Sequence, residues 1–149
     1  MEKTDIILDD HPERSIVEFL DDRINEFNFD QTDIRDGRQL AVYIRDTTAS
    51  AAGPATLVAG LYGWTWGSTC VISLLWVRED LRGRGLGDRL LAIAEAEAQA
   101  RGCRQITLST HSFQAPAFYQ ARGYRIVGTI DDYPVGHQSH TLVKFIEQK

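Results

Sequence analysis

Apolar positions along this 149-residue chain fall into short runs with two different periods. Residues 5–8 contain Ile6-Ile7-Leu8, a run that reads as a first strand. His11-Pro12-Glu13-Arg14 reads as a turn. Beyond it Ile16, Val17, Leu20, Ile24 and Phe27 recur at steps of three and four, which places them on one face of a helix. Ser15, followed three residues later by Glu18, has capping-box spacing at the start of that helix. Its end is expected near Asn28-Phe29-Asp30, with a turn at Asp36-Gly37. Leu40, Val42 and Ile44 then alternate within 39–45, the period of a half-buried strand. Small and polar residues over 47–54 predict a hairpin loop into a second strand, 56–66, which Gly60 and Gly63 interrupt. After a turn at Gly67-Ser68, residues 70–77 are apolar almost throughout, which predicts a central strand buried on both faces.

The second half changes rhythm. Residues 85–100 read as a helix with the stripe Leu86, Leu90, Ile93 and Ala94, stopped by Arg101-Gly102. Residues 105–110 read as a strand with Ile106 and Leu108 on one face. Pro116, tolerated at a first helical position, opens a short helix to residue 122, and Gly123 ends it. Two last strands, 124–130 and 141–146, flank a loop over 131–140. No repeat, low-complexity tract or linker interrupts this order of strand, helix, β-meander, helix, strand, helix, strand, strand. It predicts one mixed α/β domain over residues 1–149.

Composition narrows the function classes. Apolar residues make up 43% and charged residues 25%, values of an ordinary globular protein. No apolar run approaches the ~18 residues of a membrane-spanning helix. The N-terminal residues lack the pattern of a secretory leader, so the expected location is the cytoplasm and no membrane partner is expected. Sixteen basic against 21 acidic residues give a net charge of −5, which argues against a nucleic-acid partner and suits a cationic substrate. The lysines are Lys3, Lys144 and Lys149, so an anion site would use arginine or backbone N–H groups. Cys70 and Cys103 form no CxxC and read as reduced thiols. His137-x-x-His140 stands without cysteines or an H-E-x-x-H helix, so no metal is expected.

The densest chemical signal is Leu75-Trp76-Val77-Arg78-Glu79-Asp80-Leu81-Arg82-Gly83-Arg84-Gly85-Leu86-Gly87-Asp88. A buried strand ends, a turn follows, and alternating glycines open a helix whose first N–H groups have no partners within it. Glycine allows close backbone approach, and the combination suits a phosphate. There is no lysine for a Walker loop, and Asp88 stands where a dinucleotide fingerprint needs its third glycine.

The run contains Arg82-x-x-Gly85-x-Gly87 and follows Leu74-Leu75-Trp76-Val77. About thirty residues on comes Phe118-Tyr119-x-x-x-Gly123-Tyr124. Together these resemble the pyrophosphate-binding loop, fourth strand and F-Y-x-x-x-G-[FY] motif of the GNAT superfamily of N-acetyltransferases, over roughly residues 70–130. The segments Ser112-Phe113-Gln114-Ala115-Pro116 and Asp132-Tyr133-Pro134-x-Gly136-His137 look like one bacterial subgroup of small acetyltransferases. The resemblance implies a twisted, mixed and mostly antiparallel sheet of six to seven strands flanked by three to four helices.

It also implies direct transfer of an acetyl group from acetyl-CoA to a primary amine in a ternary complex. The acceptor would be a small molecule or peptide, and a homodimer is common among such domains. Arg82, Gly83, Arg84, Gly85, Leu86 and Gly87 would cradle the pyrophosphate, with Arg82 or Arg84 adding a charge-assisted bond. Leu75, Trp76 and Val77 would offer a strand edge to the pantetheine chain, and the N–H of Trp76 or Val77 would serve the oxyanion. Tyr119 matches the tyrosine that protonates the departing thiolate. Many relatives carry a glutamate base at the position of Ser73. Here a water relay through Ser73, with His111 farther out, is the alternative. The family's asparagine after the next strand is replaced by Ser112 or Gln114 as a cofactor contact. A non-catalytic acyl-CoA-binding module on the same fold is the competing reading.

Overall fold

A computed structural model describes residues 4–48 and 56–147. Contacts divide the chain into two compact units, Met1–Arg35 and Asp36–Lys149, each described by itself.

In the first unit, residues 5–8 form no regular element. The expected strand there fails because a short apolar run becomes a strand only when a ladder partner takes its backbone groups. Helix α1 spans Arg14–Thr32. It begins before Ser15, which lies inside it, and Glu13 stands at the N-cap position without a capping side-chain bond. The helix also outlasts its expected end. Thr32 bonds back to the Asn28 carbonyl at 2.7 Å, and Asp33, in the left-handed region at φ 56°, sends its N–H to the Phe29 carbonyl at 2.7 Å.

The second unit is built on strands β1 (Arg38–Arg45), β2 (Leu57–Trp66), β3 (Thr69–Val77), β4 (Gln105–His111), β5 (Arg125–Asp131) and β6 (Gln138–Phe145). Helix α2 spans Leu86–Ala100 and α3 spans Pro116–Gln120. The expected loop over 47–54 lies outside the described residues apart from 47 and 48. Among the described residues the sheet has six strands in the order β1-β2-β3-β4-β6-β5, antiparallel except for β3 against β4. β6 starts three residues earlier than its apolar run, because polar Gln138, Ser139 and His140 pair with Asp131, Ile130 and Thr129.

The core lies between the sheet and α2. Leu90, Leu91, Ala94 and Ala98 of α2 are buried with Leu40, Leu61, Ile72, Ile106, Leu108 and Leu142. The expected stripe is therefore rotated: Leu91 is 1% exposed and Ile93 is 53% exposed. Cys70 and Cys103 are both buried and free. Burial pushes the Cys70 thiol up to about 11, which keeps it protonated.

β3 departs from its expected burial on both faces. Thr69–Ile72 pair with β2 on one side and β4 on the other, but from Ser73 onward the ladder continues on the β2 side alone. Within this unit Leu74 and Trp76 are exposed. An unbroken apolar run cannot distinguish two-sided burial from an apolar outward face.

Candidate active site

The parting of β3 from β4 defines the site. The last paired residues are Ile72 and Leu108. At the same level the β2–β3 register slips, because Ile72 faces Gly63 while Leu74 faces Tyr62, so Ser73 is the extra residue of a bulge. Gly63 makes this approach sterically feasible. A Cβ there would lie 1.9 Å from the Val71 carbonyl oxygen, a distance no other residue type tolerates. Beyond the bulge a wedge opens between Ser73–Val77 and Ser109–Thr110, and it forms a cavity of about 860 Å³.

The open edge of β3 carries defined backbone donors. Arg78 N–H donates to the Val58 carbonyl at 2.8 Å, so its N–H faces β2. Alternate residues along a strand send their N–H groups to opposite edges. Val77 and Leu75 therefore present theirs to the wedge, and Trp76 directs its N–H to β2. Of the two expected oxyanion donors, Val77 has the matching orientation and Trp76 does not. The Val77 carbonyl accepts from Arg82 Nε at 2.9 Å, which folds Arg82 back over the strand end.

The glycine run forms one rim. Gly83 and Gly85 have φ of 76° and 79°, and a Cβ at either would meet nothing within 4 Å. Gly85 is the N-cap of α2 and supplies no capping side chain. The first-turn N–H groups are thus left for a ligand. Arg82, Gly83, Gly85, Leu86 and Gly87 line the cavity. Arg84 is exposed and does not line it. An open glycine cradle at an uncapped helix start fits a diphosphate, and the wedge beside it fits an extended chain that pairs with β3.

The other rim is the segment after β4. Tyr119, on α3, lines the cavity and is only 7% exposed. Phe118 and Tyr124 pack edge-on against its ring, at 5.1 and 5.7 Å. Its hydroxyl makes no side-chain hydrogen bond to the described residues, and burial raises its pKa above the ordinary phenol value. The group therefore stays an O–H donor through neutral pH. Behind it Tyr124 donates to Glu95 Oε1 at 3.0 Å, and Lys144 Nζ meets Glu95 Oε2 at 2.8 Å.

The remaining expected site residues separate. Ser73 lines the cavity at the bulge. His111 does not line it. Its Nδ1 lies 2.9 Å from the Tyr133 carbonyl oxygen, and because a carbonyl only accepts, Nδ1 carries a hydrogen, so the tautomer that can accept a proton does so at Nε2. Ser112 also stands outside the lining and links strands instead, accepting from Gln138 N–H at 3.0 Å. Gln114 lines the cavity, but its Oε1 accepts from His111 N–H at 2.8 Å.

Gly63 and Arg122 shape this site but were not among the expected site residues. Gly63 carried a signal, a glycine within a strand pattern. Arg122 carried none. Its guanidinium lies 3.8 Å from the Phe118 ring centroid, donates to the Phe118 carbonyl at 2.8 Å and pairs with Asp88 at 2.5 Å. It thereby joins the first turn of α2 to α3.

Parted parallel strands, a glycine cradle at a helix start and a buried tyrosine on the facing rim form one site suited to an extended diphosphate-bearing ligand. Residues 37–126 match the acetyltransferase (GNAT) domain model. The chain belongs to the GNAT acetyltransferase family and is an enzyme of that class. It is 43% identical over 118 residues to a blasticidin-S acetyltransferase of Streptomyces morookaense, covering 76% of this chain and 82% of that one. It is 29% identical over 138 residues to an acetyltransferase of Agrobacterium fabrum, covering 93% and 96%. The crystal structure of an acetyltransferase from Bacillus cereus superposes with a TM-score of 0.74 at 29% identity, covering 94% of this chain and 98% of that one.

Proposed function

We propose that the chain, as one domain over residues 1–149, transfers an acetyl group from acetyl-CoA directly to a primary amine of a small molecule. The observation that carries this reading is the wedge itself. Its open β3 edge, its glycine cradle and Tyr119 surround a single cavity. The relative named for blasticidin-S supports a small-molecule acceptor. Free, buried cysteines are compatible with a reducing cytoplasm.

When bound, acetyl-CoA would supply the activated thioester. The chain's own residues supply position, hydrogen bonds and proton transfer. The first-turn N–H groups of α2, with Gly83 and Gly85 keeping side chains out of the way, hold the diphosphate. Leu75 and Val77 would hold the extended arm along β3, and the Val77 N–H, which points into the wedge, would be the donor available to stabilise negative charge there. Tyr119, kept protonated by burial, would be the donor for a departing thiolate. On the acceptor side Ser73 passes the ammonium proton to water, and His111 takes it farther out, at Nε2.

The test is release of free thiol from acetyl-CoA by the full chain with a panel of primary amines. Release that depends on both acetyl-CoA and amine is expected. Amine-independent release, or acetylated enzyme accumulating without amine, would refute direct transfer.

A further inference from the structure

Four aromatic side chains meet where the turn after β4 faces the β5–β6 hairpin. The His111 ring stacks on Phe113, with centroids 5.3 Å apart and planes at 8°, and on Tyr133, at 5.1 Å and 25°. Phe113 also meets His137 edge-on, at 5.0 Å and 76°. These are the separations of favourable aromatic pairs. Hydrogen bonds on both sides fix the cluster. His111 Nδ1–H donates to the Tyr133 carbonyl at 2.9 Å, and His111 N–H donates to Gln114 Oε1 at 2.8 Å. The hairpin is closed by Tyr133 N–H to the His137 carbonyl at 3.3 Å and His137 N–H to the Pro134 carbonyl at 2.9 Å.

The stack does not serve the core. Phe113 is 57% and Tyr133 56% exposed. Phe113 is the member that lines the wedge cavity, so the aromatic surface is continuous with the site. Asp131 and Asp132 precede Tyr133 on the same hairpin and are both exposed, on a chain whose net charge is −5. Their carboxylates accept from Gln138 Nε2 and Gly136 N–H within the hairpin, so they add only a general negative potential, and it is the aromatic ring faces that favour a cation locally. A rigid, ordered aromatic surface rewards a planar ligand group at little ordering cost.

We propose that the Phe113–His111–Tyr133 stack is the acceptor platform, and that the acceptor is a primary ammonium carried on a planar aromatic ring. The ring lies against Phe113 and the ammonium reaches into the cavity. This rests on the amine-acetyltransferase reading and narrows its acceptor class. An aliphatic polyamine would gain only the charge, and the platform would not distinguish it from other cations.

The test uses binding, so that it does not depend on turnover. Tryptammonium and n-hexylammonium are titrated into the full chain by calorimetry, with saturation-transfer NMR to locate the contact on the indole. Tryptammonium should bind at least tenfold more tightly. Phe113→Ala should remove that preference by weakening tryptammonium at least tenfold and hexylammonium less than twofold, and Phe113→Tyr should restore it. Equal affinities in the wild type, or equal losses of both ligands in Phe113→Ala at an unchanged unfolding midpoint, would overturn the platform. Acetyl-CoA stabilisation is measured alongside. Its presence without an aromatic preference sinks the platform alone. Its absence with the preference intact supports the platform and sinks the acetyl-CoA reading.

Discussion

Tyr119 concentrates the residue-scale chemistry. Its ring is buried and its proton is held above the ordinary phenol range. Replacing Tyr119 with phenylalanine removes the donor and keeps the packing. The expected outcome is a kcat lower by about tenfold or more, with acetyl-CoA affinity nearly unchanged. Steady-state kinetics check it, and an unaltered kcat would remove Tyr119 from the acid role. Gly85 carries the cradle. At φ 79° a valine is strained, by roughly 1–2 kcal/mol, and its side chain enters the space left for the ligand. Gly85→Val should weaken acetyl-CoA binding by about tenfold or more, equivalent to ~1.4 kcal/mol, in a calorimetric titration. Glycine spacing and the Phe-Tyr motif single out both positions in the sequence, and both line the cavity. The direction of a backbone N–H was not legible, because Trp76 and Val77 differ only through register with β2. Arg122 was invisible for a similar reason, since its partners Asp88 and Phe118 come together only through the fold.

At the scale of elements, periodicity identified most helices and strands of the second unit and the inward faces of β1 and β4, but not the full buried face of α2. Leu90 and Ala94 belong to both the expected stripe and the buried set, but neighbouring helix residues point about 100° apart, and Leu91 and Ala98 rather than Leu86 and Ile93 complete the buried face. Leu91→Ala should therefore destabilise by about 2–5 kcal/mol, whereas Ile93→Ala should cost well under half as much. Urea unfolding of the two variants checks this, and equal losses would contradict the rotated face. β3 shows the complementary difficulty. Its apolar run marks a strand in the sheet, but the site depends on where that strand loses its neighbour. The bulge at Ser73 and the tolerance of Gly63 decide that point, and neither has a hydrophobic signature. Polar 138–140 has no strand signature of its own, because what makes it a strand is pairing with β5 and, from Ser139, with β4, partners that only the fold supplies.

For the whole molecule, buried titratable groups couple stability to pH in one direction. Cys70, Tyr119 and Tyr124 all have folded pKa values raised by burial, Cys70 from 9.0 to about 11. The unfolded chain therefore loses these protons first as pH rises. Their contribution is fully present below about pH 9 and is lost as pH climbs through the folded values. Urea midpoints should hold from pH 7 to 8.5 and fall between pH 9 and 11. A rising midpoint across that range would contradict the burial of these groups.

Everything proposed for the site depends on the wedge and its glycine cradle binding acetyl-CoA. The most direct test is thermal unfolding of the full chain with acetyl-CoA, CoA or ATP. A ligand at ~100 times its Kd adds roughly 2.7 kcal/mol and moves the midpoint by several degrees. The account predicts that rise for acetyl-CoA and CoA, with little or none for ATP. No rise at millimolar acetyl-CoA, or an equal rise with ATP, would contradict it.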